Sequence, residues 1–239
     1  MTRFAIISDI HGNLPALEAV LADIERQGVN EIYHLGDLVG YNPFPNETVA
    51  LIASRDIPGL RGNYDQAVLG QVADPVGEFL NARITPMGRE IYHWTLQEVN
   101  DQTRKFLASL PQQMTVAKEG WRFRLTHGSP RHIKDYVRPS WPDEMFLELL
   151  AEVSEEVLCT GHTHIPLIRQ FDRQWLLNPG SVGFPKDGNP LASYALVAVD
   201  QELTIEIRRV EYDIERTVRA IGERGLPPKA AADLRAGRR

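Results

Sequence analysis

Short apolar runs recur along this chain, and each stops at a polar residue or a glycine. Phe4, Ala5, Ile6 and Ile7 form the first run, which reads as a strand buried on both faces and ends at Ser8. Asp9 and His11 follow, spaced so that both side chains point the same way from an extended backbone. Gly12 turns the chain, and Asn13 is placed to cap a helix over residues 14–27. Residues 31–35 predict a second buried strand ending in Gly36-Asp37. Asn46 is placed to cap a short helix over 47–54, and residues 57–60 predict a third short strand ending in Arg61-Gly62-Asn63-Tyr64-Asp65. Apolar segments that each end in a carboxylate or amide are the pattern of strand–loop–helix units with a site along one sheet edge.

The pattern changes over residues 66–113. Apolar positions recur at helical spacing over 80–99, and 101–110 is a clearer amphipathic helix closed by Pro111, so a helical, cap-like insertion is expected there. The stretch 72–77 predicts no element. Residues 114–118 and 121–126 alternate around Glu119-Gly120 as a hairpin whose second strand ends in His127. A helix is expected over 142–153 with Pro142 at its start, then a strand over 157–160 ending in Gly161-His162-Thr163-His164. Hairpins at 167–177 and 194–210 and a helix over 214–223 complete the chain, with room for one more helix after Pro227. There are no repeats and no convincing linker, so the expectation is one domain over residues 1–239.

At 239 residues, 43% hydrophobic and 24% charged, this is the composition of an ordinary globular protein. A net charge of −6 argues against general binding to a nucleic-acid backbone, though not against a nucleotide substrate, because bound dications invert local charge. The single cysteine, Cys159, lies in an apolar run; it permits no internal disulfide and fits a reducing compartment. No signal peptide and no run long enough to span a membrane are evident, so a cytoplasmic location and no membrane partner are expected. Oligomeric state is left open.

Collected from the strand ends, the polar residues are Asp9, His11, Asp37, Asn63, His127, His162 and His164. Imidazole, carboxylate and amide donors suit Mn, Fe, Zn, Ni or Co. A structural zinc site of the usual kind would need neighbouring cysteines. Seven donors are too many for one catalytic ion with open positions and suit two ions, with Asp37 as the bridge because it lies between ligand pairs in the chain. The other three of the seven histidines read differently: His34 and His93 have apolar neighbours, and His132 lies in a charged loop.

Asp9-Ile-His11, Gly36-Asp37, Gly62-Asn63, His127 and Gly161-His162-Thr163-His164, in that order, resemble the five blocks of the calcineurin-like metallophosphoesterase superfamily, over about residues 3–200. The loops Gly-Asp-Leu-Val-Gly-Tyr-Asn-Pro, His-Gly-Ser-Pro-Arg and Asn-Pro-Gly-Ser-Val-Gly resemble its small prokaryotic phosphodiesterase branch. The resemblance implies an α/β fold: a four-layer αββα sandwich of two mixed sheets flanked by helices. It implies two divalent transition ions, Mn first among the choices. Asp9, His11, Asp37 and His164 would hold one, and Asp37, Asn63, His127 and His162 the other. A hydroxide shared by two ions about 3.5–4 Å apart would attack the phosphorus of a phosphodiester or small phosphorylated metabolite. Phosphomonoesters and dinucleoside polyphosphates are the alternative substrates. A scaffold without catalysis, as in the similar retromer subunit, fits less well because every ligand position is filled. One position departs from the pattern. Many members follow the asparagine with a histidine that helps protonate the leaving group; here Tyr64 stands there, with an ordinary pKa near 10. The expected catalytic set is Asp37, Asn63, Tyr64 and His132, with Asn63 and Arg131 contacting the substrate phosphate.

Overall fold

The computed structural model describes residues 1–70 and 84–238. The chain begins β1 (Thr2–Ile7), α1 (Leu14–Arg26), β2 (Ile32–His34), α2 (Pro45–Ser54), α3 (Asn63–Gly70). It continues α4 (Pro86–Glu98), α5 (Asp101–Ser109), β3 (Gln113–Lys118), β4 (Trp121–Thr126), α6 (Asp143–Leu150), β5 (Val157–Cys159). The last third is β6 (Leu167–Phe171), β7 (Gln174–Asn178), β8 (Ala192–Val199), β9 (Leu203–Val210), α7 (Ile214–Glu223) and α8 (Pro228–Ala236).

Two mixed sheets result. One has the order β2-β1-β8-β9, with β1 parallel to β2 and antiparallel to β8. The other has the order β3-β4-β5-β7-β6, with β4, β5 and β7 parallel. Alternation along the strands explains why the apolar runs are unbroken. In β1, Phe4 and Ile6 point between the sheets while Ala5 and Ile7 point to the helices. The inter-sheet layer joins Phe4 and Ile6 to Leu35, Phe123, Leu125, Val157, Cys159 and Leu177. Phe4 meets Phe123 edge-on with ring centroids 5.1 Å apart. Burial here pushes the Cys159 thiol far above its ordinary range, so it is an inert packing group.

Helix α1 covers the outer face of the first sheet with Leu17, Val20, Leu21 and Ile24. Tyr64, Tyr92 and Leu107, from α3, α4 and α5, join the same cluster. Helix α6 covers the second sheet, seating Phe146, Leu149 and Leu150 against Leu158, Leu167 and Leu176. These are the four layers of the expected αββα sandwich. Among the described residues no helix is long and apolar enough to cross a membrane.

Some local expectations are corrected. Residues 57–60 do not form a strand: only Gly59 bridges to His34, flanked by His34 N–H donating to Pro58 and Leu60 N–H donating to His34. A Cβ at Gly59 would lie 2.3 Å from the His34 ring, so this approach requires glycine. Asn46 does not cap α2. Pro45 begins the helix, and the Asn46 side chain ties it to the α4–α5 corner, donating to the Glu98 carbonyl and accepting from Asn100 N–H. Helix α6 is shorter than 142–153 and has Pro142 at its cap position. The stretch 72–77 and the first residues of the expected 80–99 helix lie outside the described residues.

Candidate metal centre

The parallel strands β1 and β2 of one sheet and β4 and β5 of the other lead into loops that converge at one edge of the sandwich. The loops interlock through backbone hydrogen bonds: Asp9 N–H to Gly36, His11 N–H to Asp37, and Gly161 N–H to His127. Asp9, His11, Asp37, His162 and His164 all have left-handed backbones, with φ of 52°, 48°, 53°, 64° and 60°. Left-handed non-glycine residues carry strain that surrounding structure must hold in place, and they concentrate at functional sites. The holding groups are visible. Asp9 Oδ2 accepts from Ser8 Oγ at 2.7 Å and from His162 N–H at 3.0 Å, and Asp37 Oδ1 accepts from Tyr64 N–H at 2.8 Å. Gly62 and Gly161 leave the space required, since a Cβ at either would fall within 2.3 Å of Asp37 Oδ1 or Ser8 Oγ.

Two buried groups of side chains result, one of Asp9, His11 and His164, the other of Asp37, His127 and His162, with the donor atoms of each within 4.8 Å of one another. Asp37 lies between them: its Oδ2 is 3.5 Å from His11 Nε2 and 3.4 Å from His127 Nε2. Asn63, at the start of α3, places Oδ1 2.9 Å from His127 Nε2. All seven residues singled out from the sequence are therefore brought together.

Three imidazoles are oriented by backbone carbonyls that can only accept. His11 Nδ1 donates to Val39 at 3.0 Å, His127 Nδ1 to Leu35 at 2.8 Å, and His164 Nδ1 to Phe184. Their Nε2 atoms are left facing the centre, the arrangement that metal-bound histidines show. His162 Nε2 and Asp9 Oδ1 are buried with no hydrogen-bond partner among the described residues. Burial pushes His162 down to about 3, keeping it neutral, and pushes His164 in the same direction. Burial would raise Asp9, yet His164, His11 and His127 hold it well below the carboxylate range. Burial would lower His127, yet Asp37 and Asp9 raise it to about 9; a cation at its Nε2 would take that proton's place. Two carboxylates and convergent imidazole nitrogens are the donor set that divalent ions satisfy.

The profile of the calcineurin-like phosphoesterase superfamily domain matches residues 2–202. The chain belongs to that superfamily. It is a metal-dependent phosphoric ester hydrolase. A protein of Methanocaldococcus jannaschii is 35% identical, over 99% of both chains. The phosphodiesterase YfcE of Escherichia coli is 32% identical over 84% of this chain and 89% of its own. The crystal structure of a metallophosphoesterase from Sphaerobacter thermophilus is 33% identical, covers 99% of both chains and superposes with a TM-score of 0.81. A protein from Pyrococcus horikoshii, 25% identical with the same coverage, superposes at 0.89.

In this phosphoesterase Tyr64 is 2% exposed, its ring packed near His11, Tyr41 and Tyr92. Asp65 does not orient it. The carboxylate of Asp65 accepts from Leu38, Val39 and Gly62 N–H, joining the Asp37 loop to the Asn63 loop. Arg131 and His132 are exposed and line, with His127, a cavity of about 300 Å³. The Arg131 guanidinium is engaged by Glu152, and His132 Nδ1 accepts from Lys134 N–H. Tyr41 and Tyr136 also border the centre, outside the residues expected there. The Tyr41 ring stands edge-on to His11 at 4.5 Å, and the Tyr136 ring lies 4.2 Å from that of His162. Nothing in the local sequence marks either; each arrives through a long loop.

Proposed function

We propose that this chain hydrolyses phosphodiesters or small phosphorylated metabolites with two divalent transition ions and a water molecule as the attacking group. One ion would be held by Asp9, His11, Asp37 and His164, the other by Asp37, Asn63, His127 and His162. Manganese is the first choice, with Fe, Zn, Ni or Co as alternatives of the same donor preference. When bound, such ions lower the pKa of water toward about 7 and neutralise phosphoryl oxygens. The observation that carries this reading is Asp37 Oδ2, within 3.5 Å of one imidazole from each group.

The chain's own residues do the rest. Backbone carbonyls fix the rings of His11, His127 and His164, so the donors are oriented before any ion arrives. Asn63 contributes an amide beside His127, where it serves both the second ion and the substrate phosphate. No side-chain nucleophile is required, and the cysteine is sealed between the sheets. Proton delivery to the leaving group falls to Tyr64 or to His132, and phosphate contact to Arg131. The substrate is a small molecule, and the working compartment the cytoplasm.

The test is a screen of metal-reconstituted protein against aryl and alkyl phosphodiesters, phosphomonoesters and dinucleoside polyphosphates. Metal-dependent turnover of diesters is the expected result. Turnover confined to monoesters or polyphosphates would move the substrate class, and no turnover with two ions bound would make the chain a scaffold.

A further inference from the structure

We propose, resting on the two-ion reading, that Tyr136 is a positioning residue for the second ion: its ring sets the orientation of the His162 imidazole. The other three ligand imidazoles are oriented by backbone carbonyls, those of Val39, Leu35 and Phe184. His162 is placed differently. Its left-handed backbone, with φ of 64°, is held by its N–H donating to Asp9 Oδ2 at 3.0 Å. That bond fixes the main chain and leaves the ring torsion open, because the χ2 well of a histidine is broad. Its Nε2 has no hydrogen-bond partner among the described residues, and the ring instead meets two others. His127, itself in the ligand set, stands at 5.1 Å with an interplanar angle of 61°. Tyr136 lies closer, with ring centroids 4.2 Å apart and planes tilted by 40°. Edge-on ring pairs need centroids about 4.5 Å or more apart, so at this separation the imidazole cannot turn edge-on without displacing the phenol ring.

Tyr136 can set another ring only if it is itself held, and the loop that carries it is tied down on both sides. Upstream, the chain folds back on itself directly after His127. Gly128 permits this, since a Cβ there would lie 2.5 Å from the Ile133 carbonyl oxygen. Ser129 N–H donates to the His132 carbonyl, Asp135 N–H donates to the same carbonyl, and Ser129 Oγ donates to Asp135 Oδ2 at 2.6 Å. Downstream, Val137 is fully buried with Phe146, Leu149 and Leu158. Trp141 packs on Phe146 at 5.8 Å, and its N–H donates to the Arg138 carbonyl. The Arg138 guanidinium lies 5.1 Å from the Tyr136 ring centroid, a further contact on the phenol. Tyrosine turns about only two side-chain torsions, so little freedom remains once both neighbours are fixed. The loop leaving β4 after His127 thus brings a stiff ring against His162, the ligand that follows β5, and couples the two imidazoles of the Asp37, His127 and His162 group.

The experiment titrates Mn²⁺ into the chelator-stripped full chain and its Y136F, Y136L and Y136A variants by calorimetry. Electron paramagnetic resonance separates a coupled pair of Mn²⁺ ions from an isolated one, and thermal unfolding of the metal-free proteins reports on the fold. Expected in Y136L and Y136A is a loss of affinity for the second ion of about tenfold, the low end for groups that orient a metal-bound histidine. The first ion should bind as in wild type, the coupled signal should give way to that of an isolated ion at limiting Mn²⁺, and Y136F should match wild type. Unchanged affinity for both ions in Y136L and Y136A overturns the assignment of Tyr136 and leaves the two-ion reading standing. Equal weakening in Y136F also overturns it, because the hydroxyl rather than the ring would then be responsible. Weakening of both ions together, with a lowered unfolding temperature of the metal-free protein in both Y136L and Y136A, overturns it by making Tyr136 a support of the fold. A wild-type chain that takes up fewer than two ions overturns the two-ion reading and the assignment with it.

Discussion

The Nε2 atoms of His11 and His164 lie 3.2 Å apart, on rings stacked at 4.8 Å. Both Nδ1 atoms donate to backbone carbonyls, so two lone pairs face each other with Asp9 Oδ1 beside them. A cation relieves that opposition. Saturating Mn²⁺ should raise the unfolding temperature of chelator-stripped protein by on the order of 10 °C. Elemental analysis of active protein should find close to two ions per chain, and Asp37→Asn should lower that number most among the ligand variants. One ion or none, even after Mn²⁺ addition, would end the two-ion reading.

Asp65 is the clasp between the Asp37 and Asn63 loops. Burial and the charge of Asp37 push its pKa up to about 6, so at neutral pH it is mostly a pure acceptor for three backbone N–H groups. In Asp65→Asn the amide oxygen can serve Leu38 and Val39, but the amide nitrogen opposes Gly62 N–H. A stability loss of about 1–3 kcal/mol should appear in urea unfolding of the metal-free protein. An unchanged midpoint would show that the loops do not depend on this clasp.

His34 predicts an acid-labile fold. It is fully buried, neither ring nitrogen has a hydrogen-bond partner among the described residues, and burial pushes it down to about 3. Below the unfolded value near 6.5 the unfolded chain takes up a proton that the folded chain refuses, so stability falls as pH drops from 6.5 toward 3. At pH 5 the penalty from this one group is about 2 kcal/mol. His34→Leu should flatten the fall in stability between pH 6.5 and 5 relative to wild type, both metal-free. Parallel pH profiles for the two proteins would refute it.

Leaving-group protonation separates Tyr64 from His132. Aryl esters leave as weak bases and need little help, whereas alkyl esters need a proton as the bond breaks. We expect kcat to fall steeply from aryl to alkyl esters, with Tyr64→His recovering part of it, on the order of 10²-fold. Tyr64→Phe should change little, because the ring is packed into the core near Tyr41 and Tyr92. Alanine at Arg131 or His132 should raise KM or lower kcat with ion content intact. A shallow wild-type slope of log kcat against leaving-group pKa that steepens in Tyr64→Phe would make the tyrosine itself the acid.

Much of the fold was legible because an unbroken apolar run needs burial on both faces, and both faces of β1 and β5 are covered. The hairpins at Glu119-Gly120 and Asp172-Arg173 were legible for a related reason: Glu119 and Asp172 take left-handed backbones at the turns. Residues 57–60 misled because a short apolar run fits a strand equally well, and only the approach of Gly59 to His34 decides its pairing. Asn46 misled because capping is a local rule, and a partner 52 residues away competed for its side chain.

The sequence by itself determined the ligand types and their order: carboxylate or imidazole after each buried strand, because a donor's chemistry belongs to its residue type. Tertiary structure is what brings the donors into two buried groups. His11 and His164 are 153 residues apart, and no spacing rule couples two loops that leave different sheets. It also decided the strain at Asp9, His11, Asp37, His162 and His164, which exists only while interlocking loops hold each backbone left-handed. The surroundings of the centre were decided in the same way. Tyr41 and Tyr136 reach it through folds of the backbone, and position in space, unlike residue type, is a property of the whole chain.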